Sequence, residues 1–144
     1  MTAAETVRLL YVYLLNSGLK EHANAPTGNI TKYTRLANST LEDVVVKPLT
    51  GQRYTPVQES VILVNLYVPN LRLQLPGGVV DQSQPNAERF EYLAELLSNI
   101  LAEFWSFDGR YGFEVEQDNG PFEDKNNQHF ISFRVRFYSQ LNNN

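Results

Sequence analysis

The order of apolar patterns along the chain predicts an α+β fold, a two-layer sandwich in which a mainly antiparallel sheet carries two helices on one face. Two stretches have apolar residues at helical spacing, and two stretches with strand-like alternation follow each of them. The predicted order is therefore helix, strand, strand, helix, strand, strand. The chain has 144 residues, of which 42% are hydrophobic, and no repeat or linker divides it. We therefore expect residues 1–144 to form a single domain with its own core.

The first helix is predicted over residues 3–17. Thr2 and Glu5 have the spacing of a capping box, and Gly18 is a natural stop. Val7, Leu10, Tyr11 and Leu14 form its apolar stripe. Further apolar residues lie outside that stripe, so we expect the helix to contact a second surface besides the core, and a neighbouring subunit is one candidate.

The first pair of strands is predicted after a loop over 19–40, which has one short extended piece near Ile30 to Tyr33. "EDVVVKPL" (42–49) is the first strand, "TGQRY" (50–54) is a turn, and Val57 to Val68 is the long second strand. In the long strand one face is purely aliphatic, while the other carries an amide and a phenol. These faces are, respectively, Ile62, Val64, Leu66 and Val68, and Val61, Leu63, Asn65 and Tyr67.

A hairpin-like arm is predicted over residues 69–84. Leu71, Leu73 and Leu75 alternate with polar residues before a turn at Pro76-Gly77-Gly78. A two-layer core offers these leucines no obvious place. We therefore predict that the arm packs on an adjacent subunit.

The second half begins with a helix predicted from about Pro85 to Phe104. In "DGRYGFEVEQ" a strand is predicted to start after a turn at Asp108-Gly109. A polar loop, "DNGPFEDKNNQ", and a last strand, "HFISFRVRFY", follow it. The last strand alternates strictly. Ile131, Phe133, Val135 and Phe137 are predicted to face inward, with Ser132, Arg134 and Arg136 outward.

Residues with catalytic or metal-binding potential are sparse. There is no cysteine, and His22 and His129 lack the spacing of metal ligands. No nucleophile elbow or phosphate loop is present. The pairs Glu42-Asp43 and Glu123-Asp124 are neighbours that would point to opposite faces of a strand, so we interpret them as solvated charges. The sequence therefore predicts no enzyme, no cofactor and no bound metal.

Charge and hydropathy also limit the class of partner. The formal net charge of −4 disfavours a grip on phosphates, which needs a basic stripe. No apolar run reaches the about 18 residues of a membrane-spanning helix. We therefore expect neither sequence-specific nucleic-acid binding nor membrane insertion.

Glu114, Glu116, Arg134 and Arg136 form the most distinctive polar pattern. If their two strands pair as a hairpin, the outer face of the sheet carries a ladder of opposite charges. One interpretation is ordinary cross-strand pairs worth about 0.2–1 kcal/mol each. The other is the polar face of a subunit interface or channel wall, where arginine binds partner carboxylates.

Aromatic residues predicted in loops are a second pattern. Phe122 stands alone in a polar segment, and Trp105-Ser106-Phe107 ends the second helix. Phe122 either folds back on its own core or contacts a partner, as aromatic residues at interfaces often do.

The segments "EDVVV", "VNLYVPN", the glycine-containing arm, "PN" before "RF" at the second helix and the closing hairpin together resemble the tail-terminator or tail-completion family of tailed bacteriophages. This resemblance covers nearly the whole chain as architecture. It implies a ring-forming structural protein of the virion, assembled in the host cytoplasm, in the neck or tail.

The resemblance implies a homo-oligomer of six copies, with twelve as the alternative. The expected partners are other neck, tail or portal-associated proteins, and DNA at most passes through the ring lumen. The expected interface residues are Leu71, Leu73, Leu75, Phe122, Glu114, Glu116, Arg134 and Arg136. The alternative hypothesis is a small non-enzymatic adaptor of a prophage or host that acts as a monomer or dimer.

Overall fold

A computed structural model describes residues 1–49 and 59–139. It shows a mixed α+β fold with two helices and a mainly antiparallel sheet, as predicted. The turn predicted at 50–54 and the first residues of the predicted long strand lie outside the described residues. The helices are α1 (Ala3–Leu15) and α2 (Ala87–Leu101). The strands are β1 (Ile30–Lys32), β2 (Val44–Pro48), β3 (Glu59–Pro69), β4 (Leu73–Gln74), β5 (Val80–Asp81), β6 (Glu103–Trp105), β7 (Tyr111–Asp124) and β8 (Gln128–Ser139).

The main sheet has the strand order β1-β2-β3-β8-β7-β6. Only the β1–β2 pair is parallel; the other neighbours are antiparallel. Strands β3 and β8 lie at the centre and pair from Glu59↔Tyr138 to Pro69↔Gln128. The two edge strands, β1 and β6, are only three residues long, which limits the exposed backbone that an edge presents.

One continuous core joins both helices to alternate residues of the central strands. The helices contribute Val7, Leu10, Leu14, Phe90, Leu93, Leu97 and Leu101, and the two central strands contribute Ile62, Val64, Leu66, Val68, Ile131, Phe133, Val135 and Phe137. The inward-facing residues predicted for the long strand and for the last strand are thus confirmed. The hydroxyl of Tyr13 donates to the carbonyl of Ile100 at 2.8 Å, which ties α1 to α2.

A side-chain cap defines the start of each helix. The amide of Glu5 donates to Thr2 Oγ1 at 3.2 Å, and the amide of Arg89 donates to Asn86 Oδ1 at 3.2 Å. Because Asn86 is the cap, α2 begins after the predicted Pro85. It also ends before Phe104, which belongs to the edge strand β6.

The prediction of a polar loop at "DNGPFEDKNNQ" is wrong. Strand β7 continues through it to Asp124 and pairs with β8 up to Asp124↔Gln128. The turn is shorter than predicted, and Asn126 and Asn127 have φ of 64° and 57°. Asparagine tolerates this left-handed conformation, so two adjacent asparagines were the local signal for a tight turn.

Candidate subunit interface

The charged ladder is present on the outer face of the sheet, opposite the core. Glu116 accepts hydrogen bonds from both arginines: Arg134 Nε donates to its Oε2 at 3.1 Å, and Arg136 Nε donates to its Oε1. Arg136 also donates to Glu59 of β3 at 3.1 Å. These arginine side chains are about a third exposed, 35% and 31%. The ladder therefore spans three strands and remains open to solvent.

Glu114 was expected to bind an arginine of the ladder, but it binds a tyrosine hydroxyl instead. Its Oε1 accepts from the hydroxyl of Tyr138 at 2.9 Å, and both arginines bind Glu116. A register shift between Val115 and Gln117 explains the difference, because the extra residue of a bulge re-aims its side chain. Glu116 consequently lies between Arg134 and Arg136.

The electrostatics of Glu116 reflect two opposing effects. Desolvation acts to raise its pKa, but the hydrogen bonds and charges of Arg136 and Arg134 outweigh it, so the pKa lies below its ordinary value of 4.5. Conversely, the hydrogen bond to Glu116 raises the pKa of Arg136. Both shifts favour the charged forms of Glu116 and Arg136.

The arm predicted over 69–84 is a separate two-stranded hairpin of β4 and β5. Its apolar side chains are partly exposed to solvent: Leu71 is 36% exposed, Leu73 37%, Leu75 43% and Val79 55%. None of them belongs to the core cluster. Exposed aliphatic residues grouped on one projection are typical of a surface that another protein covers.

Hydrogen bonds hold the base of the arm. The side-chain nitrogen of Asn70, Nδ2, donates to the backbone carbonyl of Gln82 at 2.8 Å. The Asn70 Oδ1 is therefore the acceptor for His129 Nδ1, at 2.6 Å. The backbone amides of Asn70 and Leu71 donate to Asn127 and Gln84 at 2.8 and 3.0 Å. His129 therefore anchors the arm to the sheet.

Phe122 is neither buried in the core nor isolated. It lies in β7 opposite Phe130, with ring centroids 5.4 Å apart, and stays 45% exposed. Phe130 contacts Tyr67 at 5.2 Å, and the Arg35 guanidinium lies 4.4 Å from the centre of the Tyr67 ring. An aromatic row thus crosses the outer face at the end of the sheet away from the ladder. Nearby on that face, Asn65 Oδ1 is buried and has no hydrogen-bond partner among the described residues.

The interpretation of Glu42 and Asp43 as solvated charges is wrong. Glu42 is 7% exposed and Asp43 is 2% exposed. Arg89 Nε and Nη2 bind the two oxygens of Glu42 at 2.7 and 2.6 Å, and Arg35 Nε donates to Asp43 Oδ2 at 2.8 Å. Arg35 is eight residues from Asp43 along the chain and Arg89 is 47 residues from Glu42, so the burial depends on a loop conformation and on a tertiary contact.

We call this buried cluster the carboxylate latch (Glu42, Asp43, Arg35, Arg89). The backbone at Gly28 packs closely against it. The amide of Gly28 donates to the carbonyl of Glu42 at 2.8 Å. A Cβ at Gly28 would lie 2.0 Å from Asp43 Oδ1, so only glycine fits. The latch fixes the loop before β2 against α2 and against the start of β8, where Arg35 also binds Gln128.

Two exposed aromatic residues were noticed in the sequence but placed incorrectly. Trp105 lies in the edge strand β6, and Phe107 lies in the turn after it, whereas we expected both at the end of α2. Trp105 is 52% exposed and Phe107 is fully exposed. Asp108-Gly109, identified as a turn, was the signal that could have placed them at a hairpin tip.

Within residues 1–49 and 59–139, no group of three or more His, Cys, Asp or Glu side chains is arranged to hold a metal ion. In the same part of the chain, no helix has the length and apolar character needed to cross a membrane.

Comparison with known proteins supports the fold. No protein-family model and no curated protein matches the chain. A solved protein chain, whose name states no activity, covers 97% of this chain and 98% of its own length with a TM-score of 0.56 and 12% sequence identity. At that identity the likeness shows the fold alone.

Proposed function

We propose that this protein is a structural ring subunit of the neck or tail of a tailed bacteriophage, as a tail-terminator or head–tail joining protein. Its subunits would form a two-layer sandwich with both helices on one face, and six copies, or alternatively twelve, would close the ring. Its neighbours would be other neck, tail or portal-associated proteins, and DNA would at most pass through the lumen.

The observation that carries this proposal is the arm. A hairpin outside the main sheet exposes four aliphatic side chains while hydrogen bonds through Asn70 fix its base. Burying such side chains against another copy would stabilise association by about 25 cal/mol per Å² of apolar surface. Because the base is already fixed, little conformational entropy is lost on docking.

The outer face of the sheet supports the same proposal. Arg134 and Arg136 project from a rigid central strand and retain about a third of their surface for solvent or a partner. Arginine presents planar forks that suit carboxylates of an adjacent subunit. Alternatively, the same paired charges of both signs would line the ring lumen, where they would let DNA pass without holding it.

The second hypothesis, a monomeric or dimeric adaptor, makes a different prediction for size in solution. Sedimentation velocity of the purified chain separates the two. The ring proposal predicts a species many times larger than the 16.5 kDa chain, whereas the adaptor predicts one or two copies.

The arm itself is tested by replacing Leu73, Leu75 and Val79 together with serine. These side chains are exposed in the monomer, so we expect the melting temperature to stay nearly unchanged and assembly to be lost. Gln74→Ser on the same hairpin is the matched control and should assemble normally. Unfolding of the triple variant, or normal rings from it, would contradict the proposed role of the arm.

A further inference from the structure

The turn between β6 and β7, residues 106–110, presents a fully exposed aromatic ring. Phe107 occupies its outermost part, and the β6 strand that precedes it lies at one edge of the sheet. Aromatic side chains are the most frequent anchors of protein interfaces. A fully solvated phenylalanine on a folded domain therefore suggests a contact with another protein.

This turn is held rigidly. The amide of Ser106 donates to the carbonyl of Tyr111 at 2.8 Å, and the amide of Gly109 donates to that of Ser106 at 2.9 Å. Asp108 Oδ1 accepts from Ser106 Oγ at 2.8 Å and from the amide of Arg110 at 3.1 Å. The ring of Phe107 is thus carried on a backbone that is already ordered, which lowers the entropic cost of binding.

Trp105 extends the exposed aromatic surface onto the outer face of the sheet. Its ring stacks on Tyr138 with centroids 5.8 Å apart and planes 20° from parallel. It lies directly over Gly112, where an added Cβ would be 2.3 Å from the indole. We call Trp105, Phe107 and Asp108 the aromatic tip.

A complementary surface lies away from the β6 edge, between the loop that follows β1 and the turn that joins β7 to β8. It is an open cleft whose lining includes Tyr33, Leu36, Lys47, Tyr67 and Lys125. Tyr33 is 47% exposed and Leu36 is 58% exposed. No ion pair of Lys47 or Lys125 occurs within the described residues.

We infer that the aromatic tip of one copy inserts into this cleft of the next copy, and that this contact joins neighbouring subunits around the ring. The inference rests on the proposed function, since it names the surfaces through which such a ring would close. A contact between two different patches of the same chain is heterologous, the type of interface that generates rings.

The chemistry of the two surfaces matches. The tip offers an aromatic ring and the carboxylate of Asp108, with Glu103 and Arg110 beside it. The two carboxylates and the one arginine give this region a net charge of −1. The cleft offers aromatic and aliphatic side chains with two lysines against one aspartate, Asp124, while Arg35 there is already paired with Asp43. Lysine beside a phenylalanine ring adds a cation–π attraction.

Hydrogen bonding keeps the tip charged. Donation by the Arg110 amide, followed by that of the Ser106 hydroxyl, holds the pKa of Asp108 below its ordinary value of 3.8. Both of these donors bind Oδ1, so Oδ2, which lies 3.8 Å from Arg110 Nε, is the oxygen that would face a lysine of the next copy.

Cysteine cross-linking tests the contact, because the chain has no native cysteine. Loss of the Phe107 ring weakens the contact, so the proteins are mixed about 100-fold above the wild-type dissociation constant for assembly. Under these conditions we expect oxidation of a mixture of the single variants Phe107→Cys and Leu36→Cys to give disulfide-linked dimers, and the double variant to give a ladder of higher oligomers. Asn99→Cys, exposed on α2, replaces Leu36→Cys in the control mixture and should give dimers only at background level.

Phe107→Ala provides the second measurement. Because the ring is fully exposed in its own subunit, the melting temperature should not change, while the dissociation constant for assembly should rise about 10- to 100-fold, as for a typical aromatic anchor. Sedimentation velocity over a concentration series measures it.

The outcomes separate this inference from the proposed function. If the wild-type chain forms rings but the Phe107–Leu36 mixture stays at background and Phe107→Ala assembles normally, the ring stands and the tip-to-cleft contact is wrong. If the wild-type chain is monomeric at every concentration and no cross-link forms, both are overturned.

Discussion

Arg89 and Arg134 each bind a glutamate, but they do so in opposite surroundings. The Arg89–Glu42 pair lies in the carboxylate latch, where the Glu42 side chain is only 9% exposed. The Arg134–Glu116 pair lies on the open face of the sheet, with side-chain exposures of 35% and 27%. The same chemical groups are therefore largely buried in one region and open to solvent in the other.

The difference follows from solvation. A buried charge that loses its partner cannot recover the free energy of hydration, so an incomplete latch destabilises the folded chain strongly. A surface pair gains little because water competes for both charges and salt screens them. The latch therefore belongs to the stability of the monomer, and the ladder is free to serve an interface.

The largest effect is expected from breaking the latch with Asp43→Ala. This variant leaves the Arg35 guanidinium, 14% exposed, without its carboxylate, and we expect a loss of about 3–5 kcal/mol in the free energy of unfolding. Urea denaturation measures it. Asp118→Ala, an exposed carboxylate on β7, is the control and should change stability by less than about 0.5 kcal/mol. Equal losses in the two variants would contradict the role of the latch.

Double-mutant cycles sharpen the comparison. We expect a coupling free energy of about 2–3 kcal/mol between Glu42 and Arg89, in the upper part of the range for contacting residues. Between Glu116 and Arg134 we expect only about 0.2–1 kcal/mol, the usual value for an exposed pair. Similar couplings for the two pairs would remove the distinction between latch and ladder.

Replacing Arg134 and Arg136 together with serine should cost the monomer no more than about 1–2 kcal/mol. The same double variant should lose assembly, because the arginines would no longer reach a partner. Melting temperature and sedimentation, measured side by side, check both parts. Arg8→Ser, an exposed arginine on α1, tests for a general effect of lost charge, and normal rings from the double variant would show that the ladder is only a solvated surface.

The smallest effect is expected from titrating Glu116. Its pKa is lower in the folded chain than its ordinary 4.5, so its contribution to stability is fully present above that value and is lost as the pH falls through the folded pKa. We expect a few tenths of a kcal/mol, because exposed ion pairs contribute little. Subtracting the pH profile of Glu116→Gln from that of the wild type isolates the contribution; a difference that grows as the pH rises above 5 would contradict it.

The parts of the fold that sequence patterns predict are those decided by local periodicity. The alternation from Ile131 to Phe137 predicted which side chains enter the core, and Thr2 predicted the start of α1. Strand β7 was predicted too short because its distal half is polar on both faces, so only pairing with β8 defines it. Short strands such as β6 carry too few residues for a period to emerge.

The candidate interface was predictable where its residues share one strand. Arg134 and Arg136 were placed on the outer face by alternation alone. The glutamate that binds them could not be predicted in this way, because the bulge that brings Glu116 to the arginines in place of Glu114 depends on the strand register. The burial of Glu42 and Asp43 was missed for a related reason, because Arg89 lies 47 residues from Glu42 along the chain.

The mass of the assembled protein tests the central claim most directly. Native mass spectrometry of the purified chain, read together with sedimentation velocity, should show a closed species of six times 16.5 kDa, or twelve times for the larger ring. The arm variant with Leu73, Leu75 and Val79 replaced by serine should remain a folded monomer. A wild-type chain that stays monomeric or dimeric at all concentrations, with the arm variant indistinguishable from it, would contradict the ring proposal and favour the adaptor.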